Sequence, residues 1–363
     1  MRKVGVFMQI GFFPRYDRLG ASSRYRFFMF FDRMQKDAAN CSLSMHPGLS
    51  DKYIKTLYSR GRVGRLRKLR EFMHMYLRAG NLPEKLIIEY ELVPNLSFER
   101  EMRFIGKRDY ILNFDDNVWT KYAGEPVLRN KYDLLCKNAA GVIVANHFLQ
   151  EKVSLLNDNV ILIPTVIELD KYRGKNIRKF DRFTLAWIGT PVTYMYLEQH
   201  LEALKLITQE NDCELLVIAD ENLGKTRPLA GVRARYVNWS SDTECELLQR
   251  CHAGIMPLND DEFSRGKSAF KLLQYQAAGL PLLASPVGEN NSVIADGVNG
   301  FLCQSAGQWN NAVKELVNDH ELYTHCCKNS QQRAWEYSLE KYYPVYCSFI
   351  EKSFGVKLKD GIE

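Results

Sequence analysis

Residues 251–302 read CHAGIMPLNDDEFSRGKSAFKLLQYQAAGLPLLASPVGENNSVIADGVNGFL, and this stretch decides the fold. An apolar strand from Gly254 to Leu258 runs into a basic, glycine-containing loop, Arg265-Gly266-Lys267-Ser268. A short helix follows, then Gly279 and Pro281, a second apolar strand from Leu282 to Ala284, and turns around Gly288 and Gly297. Strand, helix and strand separated by turn residues make a parallel βα unit. A helix start carries about half a positive charge and leaves its first N–H groups without partners. Arg265 and Lys267 at such a start, with Lys271 four residues after Lys267 and read as on the same helical face, form a cradle for a diphosphate.

The same alternation extends outward in both directions. Val4–Ile10 reads as a buried strand and Tyr25–Gln35 as a helix rich in Phe and Met. Short apolar strands follow at Leu86–Tyr90, Tyr110–Phe114, Gly141–Ala145 and Val160–Ile163, and the polar, basic stretch Leu169–Phe180 reads as a linker. A second series then begins, with strands at Thr184–Ile188, Glu214–Ala219, Ala234–Val237 and Gly254–Pro257, and helices at Tyr194–Thr208 and Thr243–Arg250. The chain has 363 residues, more than one core comfortably holds. The expected fold class is therefore α/β, with two Rossmann-like doubly wound domains. One spans 1–172, the other 180–335, and a helical, aromatic tail covers about 336–363. Such sheets take ligands at the carboxyl ends of their strands. Gly189-Thr190, Ala219-Asp220, Asn238 and Asp260–Ser268 all follow strands of the second series.

Composition narrows the class. No apolar run approaches the ~20 residues that span a bilayer. Met1-Arg2-Lys3 precedes an apolar run, but no small-residue cleavage pattern follows, so a first strand is the better reading. Nine cysteines without a Cys-x-x-Cys pair suggest reduced thiols, a cytoplasmic setting and no zinc site. Charge is uneven: residues 1–170 carry +8 and residues 171–363 carry −2. Much of the excess lies in residues 52–78, KYIKTLYSRGRVGRLRKLREFMHMYLR, where Arg65, Lys68, Leu69 and Phe72 recur at helical spacing. Such a surface suits an anionic membrane. Nucleic acid is not the expected partner, because no recognised binding module accompanies the charge.

The stretch Lys271-Leu-Leu-Gln274-Tyr275-Gln276-Ala277-Ala278-Gly279-Leu280-Pro281, continued by Ala284-Ser285-Pro286-Val287-Gly288, resembles the nucleotide-binding region of GT-B glycosyltransferases of family 4 (glycosyl transferases group 1). The resemblance is specific over roughly 50 residues and consistent over most of the chain. It implies two Rossmann-like domains facing a cleft, with the last helix crossing back to the first domain. It also implies a sugar moved from a nucleotide-diphosphate donor, such as a UDP- or GDP-sugar, to a hydroxyl of a glycan. Retention of configuration, no metal, no cofactor and deprotonation of the acceptor aided by the departing phosphate complete what it implies. The acceptor would be a lipid-linked saccharide in bacterial surface polysaccharide synthesis, and the protein peripheral on the inner face of the plasma membrane.

Carried over residue by residue, the donor side comprises Gly189, Thr190, Asn238, Arg265, Gly266, Lys267, Ser268, Ala269, Phe270, Lys271 and Gln274. Arg265 and Lys271 would neutralise charge on the leaving diphosphate. Two departures stand out. The pair of glutamates common in the family maps to Gly266 and Gln274, and the cations usual after the first strand of the second domain are replaced by Gly189-Thr190-Pro191-Val192-Thr193. On the acceptor side, Ser22, Ser23 and Arg24 resemble the family's small-residue loop. Asp115 and Asp116 end a strand, and Asp116 is the candidate to orient the acceptor hydroxyl, with N-capping by either aspartate as the alternative. His147 reads as a residue at a helix start, and Glu89 and Glu91 as candidates to line an acceptor groove. Two rival functions share this architecture: a nucleotide-sugar 2-epimerase, and a non-catalytic nucleotide-sugar-binding or scaffold protein.

Overall fold

The computed structural model describes residues 8–38, 40–60, 62–173 and 177–358, the side chains of residues 58–60 excepted. The expected Val4–Phe7 portion of the first strand, residues 174–176 of the expected linker and residues 359–363 of the tail lie outside the described residues. The chain divides into two compact units: unit 1 comprises Met1–Val166 and Leu339–Glu363, unit 2 Ile167–Ser338.

Unit 1 is built on a six-stranded, wholly parallel sheet. Its strands are β1 (Met8–Phe13), β2 (Cys41–Met45), β3 (Lys85–Glu89), β4 (Asp109–Phe114), β5 (Gly141–Val144) and β6 (Val160–Leu162), in the order β2-β1-β3-β4-β5-β6. Helices cover both faces of a parallel sheet, so its inner strands are apolar throughout. Leu86, Ile87, Ile88, Val142, Ile143 and Val144 are all fully buried. β2 was not legible in advance: Cys-Ser-Leu-Ser-Met is a short edge strand whose residues are mostly half-buried. After β1 the chain coils as one helical segment, α over Ala21–Ser23, π over Arg24–Phe28 and α again over Met29–Asp37. The C-terminal helix Leu339–Phe354 belongs to this unit, where the Tyr346 ring stacks on Phe30 at 4.2 Å.

Unit 2 carries a second six-stranded parallel sheet of β7 (Phe183–Ile188), β8 (Cys213–Ala219), β9 (Ala234–Asn238), β10 (Ala253–Met256), β11 (Leu282–Ala284) and β12 (Gly300–Leu302). The order is β12-β11-β10-β7-β8-β9, the Rossmann arrangement. Alternate residues of β7 face opposite cores: Ala186 and Ile188 enter one cluster, Leu185 and Trp187 the other. The helix expected over Tyr194–Thr208 is in fact two, Met195–Gln199 and Leu201–Glu210. The break is at His200, whose ring bonds the Tyr196 carbonyl that continued α-helix would give to the His200 amide. Ile167 and Tyr172 pack into a unit 2 core, so the boundary falls at Val166/Ile167.

Ligands of such sheets bind where neighbouring strands send the chain in opposite directions. Those points are β1/β3 in unit 1 and β7/β10 in unit 2.

Candidate active site

In unit 2, the β7/β10 pairing ends early, at Ala253↔Leu185 and Gly254↔Ala186. Beyond it the two strands part, leaving backbone groups open. Tyr275, fully buried in the helix Phe270–Ala277, fills the gap: its hydroxyl accepts from the Ile188 amide (3.1 Å) and donates to the Ile255 carbonyl (3.2 Å). Gly254 is what lets the ring in, since a Cβ there would meet it at 2.2 Å. One side chain thus ties the helix to both strands of the switch point and aims its N-terminus beside the loops after β7 and β10.

The loop before that helix is strained and open. Ala269, buried, has φ of 52°, a left-handed conformation that costs a non-glycine residue roughly 1–2 kcal/mol. Among the described residues, none accepts a hydrogen bond from the Ser268 or Ala269 amide, and none pairs with the Ser268 hydroxyl or the Gln274 side-chain amide, although both residues are buried. Neither the Ser268 hydroxyl nor the Gln274 amide is among the enclosed side-chain atoms that lack partners, so both keep contact with solvent. Gly288, in the turn after β11, buttresses the loop from outside: a Cβ there would come within 2.5 Å of the Arg265 carbonyl oxygen.

The expected cations are arranged differently from their sequence reading. Lys267 is not on the helix, which starts at Phe270, so Lys267 and Lys271 do not share a helical face. The left-handed turn at Ala269 interrupts the backbone between them. Lys267 Nζ lies over the Phe263 ring at 4.2 Å, and Lys271 Nζ is 5.6 Å from the Trp187 ring centre on β7. Arg265 ends the short helix Glu262–Arg265 at the surface, held bidentate by Asp260 (2.6 and 3.0 Å). Gly266 caps that helix. Gly189 and Thr190 follow β7, where Thr190 and Thr193 bond one another's backbone and hydroxyls. Asn238 is not part of this group: it ends edge strand β9, two strands from β7, and its side chain accepts from the Glu221 amide.

In unit 1, charged residues crowd the carboxyl ends of β1, β3 and β4. Glu89, at the end of β3, accepts from the Arg15 amide (2.6 Å) and the Ser23 hydroxyl. Tyr90, with φ of 63°, donates its phenol to Asp115, which follows β4. Glu91 is fully enclosed, receiving Lys131 (2.6 Å), Lys121 (2.8 Å), Arg15 (3.4 Å) and the phenols of Tyr122 and Tyr132. Burial alone would raise its pKa, but Lys131, Lys121 and Arg15 hold it at about 2. Glu91 therefore anchors an ion cluster and does not line an open groove. Arg78, expected on a basic surface, is half-buried, and its guanidinium donates to carbonyls of Pro14 (3.3 Å), Leu92 (3.1 Å) and His46, past the ends of β1, β3 and β2. This residue and Lys131 were missed because a lone cation in sequence does not reveal what encloses it.

Of the other acceptor-side candidates, Ser23 is buried and accepts from the Tyr16 amide (2.9 Å), while Ser22 is half-buried. Arg24 lies over the Tyr25 ring. Neither aspartate caps the 3-10 turn Val118–Lys121. Asp115 is buried and Asp116 half-buried. His147 begins the helix His147–Ser154, exposed, with Asn146 as its cap.

A family model described as Glycosyl transferases group 1 matches residues 182–319, most of unit 2. Among curated proteins, none matches by sequence. Solved structures resemble nearly the whole chain. Anabaena HepE in complex with UDP and glucose matches with a TM-score of 0.69 at 14% identity, over 95% of this chain and 99% of that one. Sucrose-phosphate synthase from Thermosynechococcus elongatus gives 0.65 at 14% identity, over 96% and 100%. The pneumococcal O-GlcNAc transferase GtfA, in complex with UDP and GlcNAc, gives 0.57 at 15% identity, over 81% and 61%. Two parallel-sheet, Rossmann-like units with these likenesses establish the fold as that of the GT-B glycosyltransferases.

Proposed function

We propose that the protein is a glycosyltransferase of family 4 that moves a sugar, with retention, from a nucleotide diphosphate to a hydroxyl of a glycan, without metal or cofactor. The observation carrying this reading is the loop at the β7/β10 switch point. Amides of Ser268 and Ala269 without partners, the start of the helix Phe270–Ala277, and Lys267 and Lys271 together suit a diphosphate. The family match over residues 182–319 supports it, as do the UDP-bound HepE and GtfA structures of the same fold. Arg265 reaches the phosphates only by exchanging Asp260 for them, which costs little for an exposed pair. Gln274 and Ser268 are the polar groups left for the ribose or sugar. The acceptor side is unit 1, with Ser22, Ser23, Asp115 and Asp116.

The acceptor we infer is lipid-linked, in surface polysaccharide synthesis on the cytoplasmic face of the membrane. No described helix is long and apolar enough to cross a bilayer. Helix Arg65–Arg78 instead turns apolar side chains outward, as a peripheral protein requires.

The test is binding of UDP and UDP-glucose by thermal shift and calorimetry. Saturation at 100 times the dissociation constant should add about 2.7 kcal/mol of stability. Lys271→Ala and Lys267→Ala should each weaken UDP at least tenfold while leaving the unliganded midpoint near wild type. Equal responses from wild type and both variants would overturn the donor site.

A further inference from the structure

We propose that Arg227 is a positioning residue for the donor diphosphate, holding the loop after β7 so that its backbone and hydroxyls meet a phosphate. This role rests on the glycosyl-transfer reading and deepens it, and it lies wholly within unit 2.

The loop Gly189-Thr190-Pro191-Val192-Thr193 leaves β7 at the switch point and has no charged side chain. What it offers an anion therefore comes from N–H groups and two hydroxyls, and the direction of the loop decides where they point. Its tip is open: Val192 is 67% exposed, and its amide donates to no described residue. Inside the loop, the Thr190 amide donates to the Thr193 hydroxyl (3.1 Å) and the Tyr194 amide to the Thr190 carbonyl (3.1 Å). Those bonds close the turn, but they do not aim it.

Arg227, which follows β8 at the end of the short helix Leu223–Thr226, does aim it. Its Nη1 donates to the Pro191 carbonyl (3.1 Å), its Nε to one Glu198 oxygen (2.9 Å) and its Nη2 to the other. The guanidinium lies over the Tyr194 ring at 5.1 Å, and the Tyr194 phenol donates back to the Arg227 carbonyl (2.7 Å). Among the described residues, no other side chain from outside the loop hydrogen-bonds Thr190–Thr193. Glu198 lies on the helix Met195–Gln199, into which the loop runs. The same helix reaches the segment after β10: the Tyr196 hydroxyl shares a hydrogen bond with that of Ser264 (3.1 Å), and Gln199 accepts from Asn259 (2.9 Å). Arg227 thus ends a chain of bonds that joins both sides of the switch point. Glu198 already takes up its charge, so it orients the loop and does not itself hold a phosphate. The two side chains are 39% and 37% exposed, and such a pair adds little stability. What it supplies is shape, because a loop already ordered spares the ligand that cost.

The experiment titrates UDP and pyrophosphate into the full chain by calorimetry, follows uridine by saturation-transfer NMR, and records unliganded melting midpoints. It compares wild type with Arg227→Ala, Arg227→Lys and Glu198→Gln. Arg227→Ala should weaken UDP and pyrophosphate by about tenfold or more, hold uridine within about threefold and keep its midpoint within about 2 °C of wild type. Arg227→Lys keeps a bond to Glu198 or to Pro191 but not the fork, so it should fall between. Glu198→Gln releases the guanidinium and should weaken UDP as well, whereas a cation acting through charge alone would then bind it tighter. Arg235→Ala, which breaks a comparable pair with Glu214, is the control and should bind UDP as wild type does. A smaller loss of UDP in Arg227→Ala, tighter UDP in Glu198→Gln, uridine lost in step with UDP, or affinities that simply track the melting midpoint overturn the proposal and leave glycosyl transfer standing. A wild-type protein that binds neither UDP nor pyrophosphate overturns both.

Discussion

Ala269 shows how much a single backbone angle decides. In sequence it is one small residue in Gly-Lys-Ser-Ala-Phe, but at φ of 52° it turns the chain sharply into the helix Phe270–Ala277 and separates Lys267 from that helix. Glycine would relieve about 1–2 kcal/mol of strain and return about 0.4–1 kcal/mol as unfolded-state entropy. Ala269→Gly should therefore raise stability by about 0.5–1 kcal/mol, and Ala269→Val, branched at Cβ, should lower it. Urea midpoints of the two variants measure this, and a valine variant as stable as wild type would contradict the assigned angle. The adjacent pair Asp115-Asp116 teaches the same lesson. Both carboxylates end one strand and are indistinguishable in sequence, where the outer one, Asp116, was favoured. Burial against Tyr90 and Arg26 singles out the inner one.

At the scale of elements, the sequence motif around Gln274-Tyr275 is a joint between helix and sheet. Gly254 makes room for the Tyr275 ring, and the phenol satisfies the two backbone groups exposed where β7 and β10 part. Tyr275→Phe keeps the ring and strands both groups. It should cost about 1–3 kcal/mol, and it should weaken UDP because the helix start loses its anchor. Denaturant unfolding and UDP titration of this variant test the two effects; unchanged affinity would mean that the anchor does not position the loop. The positions of β7–β11 along the chain, including Leu282–Ala284 at its observed bounds, were readable because buried parallel strands are continuous apolar runs, whereas their order in the sheet was not read. The edge strands β2 and β12 were not readable, since Cys-Ser-Leu-Ser-Met alternates with serine and Gly-Phe-Leu is only three residues long, although the edges β6 and β9 were.

For the whole molecule, the question is what its surface meets. Helix Arg65–Arg78 buries Glu71 and Met75, where Glu71 accepts from Ser50. On the opposite side Leu66, Leu69, Met73 and Leu77 form a stripe at helical spacing, with Leu66 85% and Leu77 69% exposed. Phe72, expected with that surface, instead packs against the unit 1 core. Arg65 and Arg70 flank the stripe, and each cation near an anionic surface adds about 1 kcal/mol. Replacing the four apolar residues by Gln should abolish sedimentation with vesicles containing phosphatidylglycerol and spare UDP binding. Binding to neutral phosphatidylcholine vesicles should already be weak in wild type. Undiminished sedimentation of the variant would refute a membrane-facing role for this helix.

The amino-acid sequence by itself determined the α/β class, the two-fold repetition of strand and helix, and the loop where a diphosphate is proposed to sit. Apolar periodicity and turn residues are local properties, and they act wherever the chain goes. Tertiary structure alone decided which cations are buried, as Lys131 is, and which are held at the surface, as Arg265 is by Asp260. It also enclosed Asp115, and burial raises the proton affinity of that carboxyl. A charge acquires its chemistry from the solvent it loses and the partners it gains, and those come from strands far apart in the chain.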